Sequence, residues 1–216
     1  MPTEIEPGRI VVLNGAPRAG KSSIAAAIQA TFDGVWMNLG NDVHILQMTP
    51  PQHRPGVGLR PGGEAPDREP LVVQLYAALY DSIAAHSRQG LNVVADVGHH
   101  DAYSRPLGIL PACARRLAGL PVLFVGVRCP IDAIVRRRNA GQPGRATRYE
   151  TVAPGEPVPE TILGWQRAVH DPGIYDMEVD TGALDPAACA DAIRRRLKQG
   201  IPRPTAFERL ALIGAP

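Results

Sequence analysis

The chain contains a glycine-rich segment at residues 15–22 with the spacing G-x-x-x-x-G-K-S. In this pattern the glycines let the backbone curl so that successive N–H groups point at phosphate oxygens, and the helix that follows adds the positive end of its dipole. Lys21 would reach the β- and γ-phosphates, and the Ser22 hydroxyl would bind Mg²⁺. The pattern therefore predicts a site for a nucleoside triphosphate, made of Gly15, Ala16, Pro17, Arg18, Ala19, Gly20, Lys21, Ser22 and Ser23.

Two aspartates follow apolar runs, where the strands of a parallel sheet present functional groups. Asp96 ends the run Val93-Val94-Ala95 and is similar to a Walker-B carboxylate, which would hold a water of the Mg²⁺ shell; a cap or turn residue is the alternative. Asp42 lies just past a short predicted strand, where a carboxylate can take the proton from an attacking hydroxyl. The alternative there is a capping aspartate for the helix predicted from Val43.

Arginines are denser after the fourth predicted strand than solubility requires. Their guanidinium groups match the charge that phosphoryl transfer leaves on phosphate oxygens. An arginine-bearing lid at residues 130–159 that closes over ATP would also exclude water. We expect at least two of these arginines to contact phosphate, with Arg137 and Arg145 as first choices, and the others to include a solvated helix face. The six are Arg128, Arg136, Arg137, Arg138, Arg145 and Arg148.

The histidine pair His99-His100 follows Asp96 closely, so either side chain could touch the second substrate. The two lack the spacing of a metal-binding motif. A place on an exposed loop is the alternative, and it is the one that we favour.

Strands and helices alternate along the chain, and they would position these residues. Several of the predicted strands are apolar on both faces, which suits central parallel strands that are covered by helices. We predict a three-layer α/β domain in which the phosphate loop, Asp42, Asp96 and Arg128 face one crevice. Strands are predicted at residues 10–14, 35–39, 91–97, 121–127 and 174–179, and helices at 21–32, 43–48, 71–89, 111–117, from 130, 160–170 and 186–199.

Length and composition restrict the class of protein. With 216 residues, we expect a single domain at residues 1–200 and a tail at 201–216, docked or mobile. The proline- and glycine-rich segment 49–70 is predicted to be a loop on the acceptor side, either functional or disordered. The net charge of +2 is too small to indicate nucleic acid or an anionic membrane as a partner. No stretch approaches the ~20 apolar residues of a membrane span.

The cysteines and the chain start predict a cytoplasmic protein. Cys113, Cys129 and Cys189 lie far apart and are odd in number, so they fit reduced packing residues rather than disulfides or a zinc site. The first residues lack the features of a secretion signal. The apolar residues 210–213 fit a homodimer contact as well as packing within the chain, so the sequence leaves the oligomeric state open.

Several blocks, taken in order, resemble the chloramphenicol phosphotransferase family, a branch of the P-loop small-molecule kinases. They span residues 10–181, most of the chain. The phosphate loop is shared by many families, whereas the last two blocks are more specific. The blocks are Val12-Leu13-Asn14-Gly15 with Gly20-Lys21-Ser22-Ser23, Leu39-Gly40-Asn41-Asp42, Phe124-Val125-Gly126-Val127-Arg128-Cys129, and Val169-His170 with Tyr175-Asp176-Met177-Glu178-Val179-Asp180-Thr181.

The resemblance implies ATP- and Mg²⁺-dependent phosphorylation of a hydroxyl on a small molecule. It further implies a P-loop kinase fold with a five-stranded parallel sheet and a lid, with Asp42 as the general base and Tyr175-Asp176 as structural residues. The lid block Arg-Gly-Asp-Arg that is usual in the family is replaced by residues 141–145, where Arg145 remains. Residues 49–70 have no alignable similarity, which leaves the acceptor, chloramphenicol or another compound, and a role in antibiotic resistance open.

Two other functions fit the same motifs. A nucleotide or shikimate-type metabolic kinase would share the phosphate loop and differ in its acceptor. A P-loop switch or an ATP-binding regulator is the alternative outside metabolism. A GTPase would need an Asn-Lys-x-Asp segment, which the sequence lacks. A regulator would more often carry further domains.

Overall fold

The computed structural model describes residues 5–141 and 151–214, which contain one five-stranded sheet. All four strand pairings are parallel, and the strand order is β2-β3-β1-β4-β5. The central strand β1 pairs with β3 on one side and with β4 on the other, so Val12 lies between Ala95 and Phe124. The strands are β1 (Ile10–Asn14), β2 (Trp36–Asn38), β3 (Asn92–Val97), β4 (Val122–Arg128) and β5 (Met177–Asp180).

Helices cover both faces of this sheet, which confirms the predicted three-layer α/β architecture. Side chains alternate along β1, so Val11 and Leu13 enter one apolar cluster, while Ile10 and Val12 enter the other. Residues of α1, α4, α5 and α6 belong to the first cluster, and residues of α2, α3 and α7 belong to the second. The helices are α1 (Lys21–Thr31), α2 (Glu69–Arg88), α3 (Ile109–Arg116), α4 (Ile131–Asn139), α5 (Glu160–Ala168), α6 (Pro186–Gln199) and α7 (Ala206–Ala211).

The helix predicted at residues 43–48 is a π-helix at Asp42–Gln47, so Asp42 is its first residue. Its wider turn is closed by the Met48 N–H, which donates to the Val43 carbonyl at 3.3 Å. Single π-helical turns of this kind are frequent at functional sites. Only three residues separate Asp42 from the end of β2, so the aspartate lies beyond the carboxyl end of that strand.

The acceptor-side loop predicted at residues 49–70 is ordered and contains two 3₁₀ turns, Pro51–His53 and Gly56–Leu59. It lies against the segment that follows β3. The Gly62 N–H donates to the Ala102 carbonyl at 2.8 Å. At the start of α2 the buried Glu69 carboxylate accepts from the Ser104 N–H at 2.7 Å and from its hydroxyl at 2.5 Å. These contacts hold the loop in place against the segment that follows β3.

The tail docks, as one of the two predicted alternatives has it. Thr205 and Glu208 form a capping box at the start of α7, and Phe207 and Leu210 are buried. Asp176 accepts from the Phe124 and Ala206 N–H groups at 2.8 and 2.6 Å, so it joins β4 to the tail. Leu212 is 77% exposed, and the homodimer stays a prediction.

Among the described residues, no helix combines the length and the apolar character that crossing a bilayer requires.

Candidate active site

The phosphate loop connects β1 to α1, and its geometry explains the positions of its glycines. A Cβ on Gly15 would lie 2.5 Å from the Val127 carbonyl oxygen, so the neighbouring strand leaves no room for a side chain. Gly20 precedes α1 with a φ of +96°, a conformation that favours glycine. The first N–H groups of α1 therefore face the loop, which is the arrangement that binds phosphate.

Lys21 is folded back over this loop. Its Nζ donates to the Gly15 carbonyl at 2.7 Å and to the Ala16 carbonyl at 2.9 Å. Burial lowers the pKa of Lys21, and the nearby carboxylates of Asp96 and Asp42 oppose that shift. The ammonium group is thus held at the loop, close to two carboxylates that favour its charged form.

Ser22 and Asp96 meet at the base of the loop. The Ser22 hydroxyl donates to Asp96 Oδ2 at 2.5 Å, and Asp96 is 8% exposed. Hydroxyl and carboxylate oxygens are the ligands that Mg²⁺ prefers, and Mg²⁺ usually takes only one or two protein carboxylates. In residues 5–141 and 151–214 no group of three or more His, Cys, Asp or Glu side chains could hold a metal by itself. The pair therefore suits a Mg²⁺ ion whose remaining ligands are phosphate and water.

Gly40 leaves room for the Asp96 side chain. A Cβ at this glycine would lie 1.6 Å from Asp96 Oδ1 and 2.9 Å from its backbone nitrogen. We expect Gly40→Ala to displace the carboxylate, to lower the free energy of unfolding by about 1–3 kcal/mol and to lower turnover at least about tenfold. Thermal unfolding and steady-state rates at varied Mg²⁺ check this.

Gly164→Ala on α5 is the matched control for that variant, because a Cβ there meets no atom within 4 Å. It should leave both quantities almost unchanged. Equal behaviour of the two variants would contradict the proposed role of Gly40.

A cavity of about 1080 Å³ joins these residues to Asp42. Its P-loop half is formed by the phosphate loop, by the end of α4 and by residues 181–186. Its distal half is formed by residues from the π-helix, the second 3₁₀ turn (Gly56–Leu59), α2, the end of β3 and α5. The distal half contains Asn41, Asp42, Leu46, Val57, Leu59, Arg60, Tyr76, Val97 and Trp165.

The structure places Arg137 in the P-loop half. Its guanidinium group donates to the Thr181 carbonyl at 2.7 Å, to the Thr181 hydroxyl at 3.0 Å and to the Arg18 carbonyl at 3.3 Å. Thr181 in turn donates to the Ala19 carbonyl at 2.7 Å. The arginine is therefore clamped between the phosphate loop and the segment after β5. Arg138 lines the same half of the cavity.

Residues 181–186 were missed by the sequence analysis as part of the site. They follow β5 directly, so the rule that ligands bind beyond the carboxyl ends of parallel strands would have found them. Apart from Asp185, whose carboxylate caps α6, none of them carries a charge that draws attention in the sequence.

Arg128 is not among the residues that line the cavity, and its contact with the nucleotide stays a prediction. Its guanidinium group forms a salt bridge with Glu178 on β5 at 2.6 Å and lies 5.9 Å from the centre of the Tyr175 ring. The carboxylate on the neighbouring edge strand β5 thus pairs with this arginine away from the phosphate loop. Arg136 pairs with Asp132 at 2.5 Å. Arg145 and Arg148 lie outside the described residues.

His99 and His100 are 1% and 3% exposed, so the exposed-loop interpretation of both is wrong. His99 hydrogen-bonds to the Tyr80 hydroxyl at 2.8 Å, and its ring stacks on Tyr76 with centroids 4.5 Å apart. His100 hydrogen-bonds to the Leu59 carbonyl at 3.1 Å and packs against Tyr103 and Trp165. Neither lines the cavity; both support residues that do.

Burial lowers the pKa of His99 to about 3 from 6.5. Because the folded-state value is the lower one, the unfolded state binds the proton first, and stability is lost as the pH falls below 6.5. From His99 we expect a loss of about 2 kcal/mol in the free energy of unfolding between pH 6.5 and about pH 5. Urea unfolding should show a flatter pH profile for His99→Gln than for the natural protein, and parallel profiles would contradict the assignment.

Comparison with known proteins identifies the chain. Residues 8–198 match the family described as chloramphenicol phosphotransferase-like protein. The chain belongs to this family. In this chloramphenicol phosphotransferase-like protein, the phosphate loop, Asn41 and Asp42 line the same cavity. A curated relative from Mycobacterium tuberculosis (strain H37Rv), named "Putative O-phosphotransferase Rv2636", is 28% identical over 94% of this chain and 88% of its own length.

Solved structures with the same fold include kinases of small molecules. Shikimate kinase from Acinetobacter baumannii in complex with shikimate has a TM-score of 0.57 and 12% identity, over 90% of this chain and 96% of its own. The tunicamycin resistance protein of Deinococcus radiodurans has a TM-score of 0.55 and 17% identity, over 88% and 95%. The fold of this chloramphenicol phosphotransferase-like chain is therefore that of the P-loop kinases. Its membership of the family, and not this likeness of fold, identifies the chain as a phosphotransferase of small molecules.

Proposed function

We propose that this protein transfers the γ-phosphate of ATP to a hydroxyl group of a small molecule. One observation carries the proposal: a single cavity is lined by the phosphate loop with Lys21 in one half and by Asp42 in the other. A bound triphosphate and an alcohol in this cavity would meet between these two groups. The coarser assignment, a phosphotransferase, rests on the family.

The P-loop half suits a nucleotide. The phosphates would bind the N–H groups of the loop and of the first turn of α1, with Arg137 at their flank. The base would lie along residues 181–186, where the partly exposed Leu184 offers an apolar surface. Mg²⁺, held by Ser22, by phosphate and through water by Asp96, would supply positive charge that offsets the charge on the phosphates.

Asp42 is the proposed general base. Its carboxylate would accept the proton of the attacking hydroxyl while the acceptor oxygen forms a bond to the γ-phosphorus and the bond to the β-phosphate oxygen breaks. ADP and a phosphate ester leave. Lys21 and Arg137 would stabilise the charge that develops on the transferred group, because both are fixed at the loop before the reaction.

The distal half suits a mainly apolar acceptor. Leu46, Val57, Leu59, Val97 and Trp165 form most of its wall, and Arg60 is paired with Glu64 at 2.6 Å. We propose that an antibiotic with a hydroxyl group is one acceptor of this kind.

Mass spectrometry tests the proposal. The protein is incubated with ATP, Mg²⁺ and a library of hydroxyl compounds that includes chloramphenicol, shikimate, nucleosides and sugars. A gain of one phosphate on an alcohol supports the proposal and names the acceptor. ATP binding without any phosphorylated alcohol would reject it in favour of an ATP-binding regulator.

A further inference from the structure

One edge of the Arg137 guanidinium group is bound by the protein itself. Nη1 donates to the Thr181 hydroxyl at 3.0 Å, and Nη2 donates to the Thr181 carbonyl at 2.7 Å. Nη1 further contacts Cys129 Sγ at 3.1 Å and the Arg18 carbonyl at 3.3 Å. The edge that joins Nη1 and Nη2 therefore lies on Thr181, which accepts from both nitrogens.

A second edge of the same group keeps its donors. A guanidinium group carries five N–H hydrogens in one plane, and the Nε–H lies beside the outer Nη2 hydrogen. Residues 5–141 and 151–214 offer neither of these two hydrogens an acceptor. Two parallel N–H groups match two oxygens of a phosphate group. Because Arg137 lines the P-loop half of the cavity, this edge can meet a phosphate there.

Thr181 is fixed by the sheet and by the phosphate loop. Its N–H donates to the Arg128 carbonyl at 2.9 Å, directly after the pairing of β4 with β5. Its hydroxyl donates to the Ala19 carbonyl at 2.7 Å. The residue is 8% exposed, and a Cβ at Gly20 would lie 3.4 Å from Thr181 Cγ2. The threonine is therefore held close against the loop.

The Thr181 hydroxyl forms two hydrogen bonds that a methyl group cannot form. It donates its hydrogen to the phosphate loop and accepts from Arg137 with a lone pair. A long arginine side chain loses much rotamer freedom when it is fixed. Since this arginine is fixed before nucleotide binds, less freedom remains to be lost when its donors meet a phosphate.

We propose that Thr181 is a positioning residue for phosphoryl transfer: it binds one edge of Arg137 and thereby presents the other edge to the phosphate that is transferred. This inference rests on the proposed function and deepens it, because it assigns the orientation of a charge-stabilising side chain to a second residue. Arg137 contacts the phosphate, and Thr181 acts through Arg137.

A double-mutant cycle tests the inference. Thr181→Val keeps the shape of the side chain and removes the hydroxyl, Thr181→Ser keeps the hydroxyl, and Arg137→Met removes the guanidinium group. We expect Thr181→Val to slow single-turnover ADP formation at least about tenfold in the natural protein and less than about twofold in Arg137→Met. Thr181→Ser should restore the natural rate to within about threefold. The acceptors are the library of hydroxyl compounds described above.

The Nε–H resonance of Arg137 gives a readout that does not depend on turnover. It is the signal that disappears from the side-chain ¹H–¹⁵N spectrum of the full chain in Arg137→Met. We expect ATP with Mg²⁺ to shift this resonance in the natural protein and in Thr181→Ser, and to leave it in place in Thr181→Val. If Thr181→Val does not fold, Thr181→Cys, whose thiol is only a weak hydrogen-bonding group, replaces it in both measurements.

Thr205→Val is the matched control. Thr205 is 4% exposed, and its hydroxyl accepts from the Glu208 N–H at 3.0 Å at the start of α7, outside the cavity. The variant should unfold at a lower temperature and keep the natural rate. The inference would be overturned by an equal loss of rate in Thr205→Val, by equal effects of Thr181→Val with and without Arg137, or by a Thr181→Ser protein as slow as Thr181→Val.

The two proposals fail in different ways. If the natural protein phosphorylates no alcohol, the transfer reaction is rejected, while an ATP-induced shift of the Arg137 resonance that is lost only in Thr181→Val would still support the orientation of Arg137. Phosphorylation of an alcohol at the natural rate by Thr181→Val would support the transfer reaction and reject the role of Thr181.

Discussion

Replacing Asp42 by asparagine is expected to slow phosphoryl transfer to an alcohol by about a hundredfold to ten-thousandfold, while the affinity for ATP changes less than about twofold. Asparagine has the shape of aspartate but cannot accept the proton of the attacking hydroxyl. The phosphate loop lies in the other half of the cavity and keeps its contacts. Single-turnover rates and equilibrium nucleotide binding measure the two quantities separately.

Asp67→Asn provides the control, since it removes an exposed carboxylate from the acceptor-side loop, outside the cavity. Its rate should equal that of the natural protein. If Asp42→Asn lost nucleotide affinity and turnover together, Asp42 would belong to the nucleotide site, and the base would have to be sought elsewhere.

Replacing Lys21 by methionine is expected to reduce transfer about a thousandfold and also to weaken ATP binding. Methionine fills a similar volume but carries no charge for the phosphates. The lysine is fixed by two loop carbonyls and flanked by Asp96 and Asp42, so its loss leaves those carboxylates to repel the triphosphate. The affected quantities thus differ from those in Asp42→Asn, where only turnover falls.

Lys198 is the other lysine of the chain and is exposed on α6. Lys198→Met therefore removes the same group at a site far from the loop in the sequence and should leave rate and affinity unchanged. Circular dichroism and thermal unfolding of both variants verify the fold. A Lys21→Met protein with natural turnover would contradict the phosphoryl-transfer proposal.

The P-loop half of the site could be predicted from the sequence because its signals are local. The glycine spacing, the apolar run before it and the helix after it lie within about twenty neighbouring residues. Asp96 was recognised as well, since it ends an apolar run that becomes β3. The structure then supplies what spacing cannot, the contact of 2.5 Å between Ser22 and Asp96 and the glycine at position 40 that permits it.

The errors arise where a side chain meets a partner distant in sequence. Arg128, which stays a predicted nucleotide contact, forms a salt bridge with Glu178, fifty residues later, that the sequence could not show. His99 and His100 were expected on an exposed loop, but helix α2 and the 3₁₀ turn cover them.

The contacts between the acceptor-side loop and the segment after β3 restrict how acceptor preference can change. The carboxylate of Glu69, the N–H of Gly62 and the carbonyl of Leu59 all have their partners in residues 100–104. A Cβ on Gly63 would lie 2.6 Å from the Ser104 nitrogen. Exchanging one segment alone between relatives would therefore leave its partner groups unmatched. A chimaera that is designed to change the acceptor must therefore take both segments from the same relative.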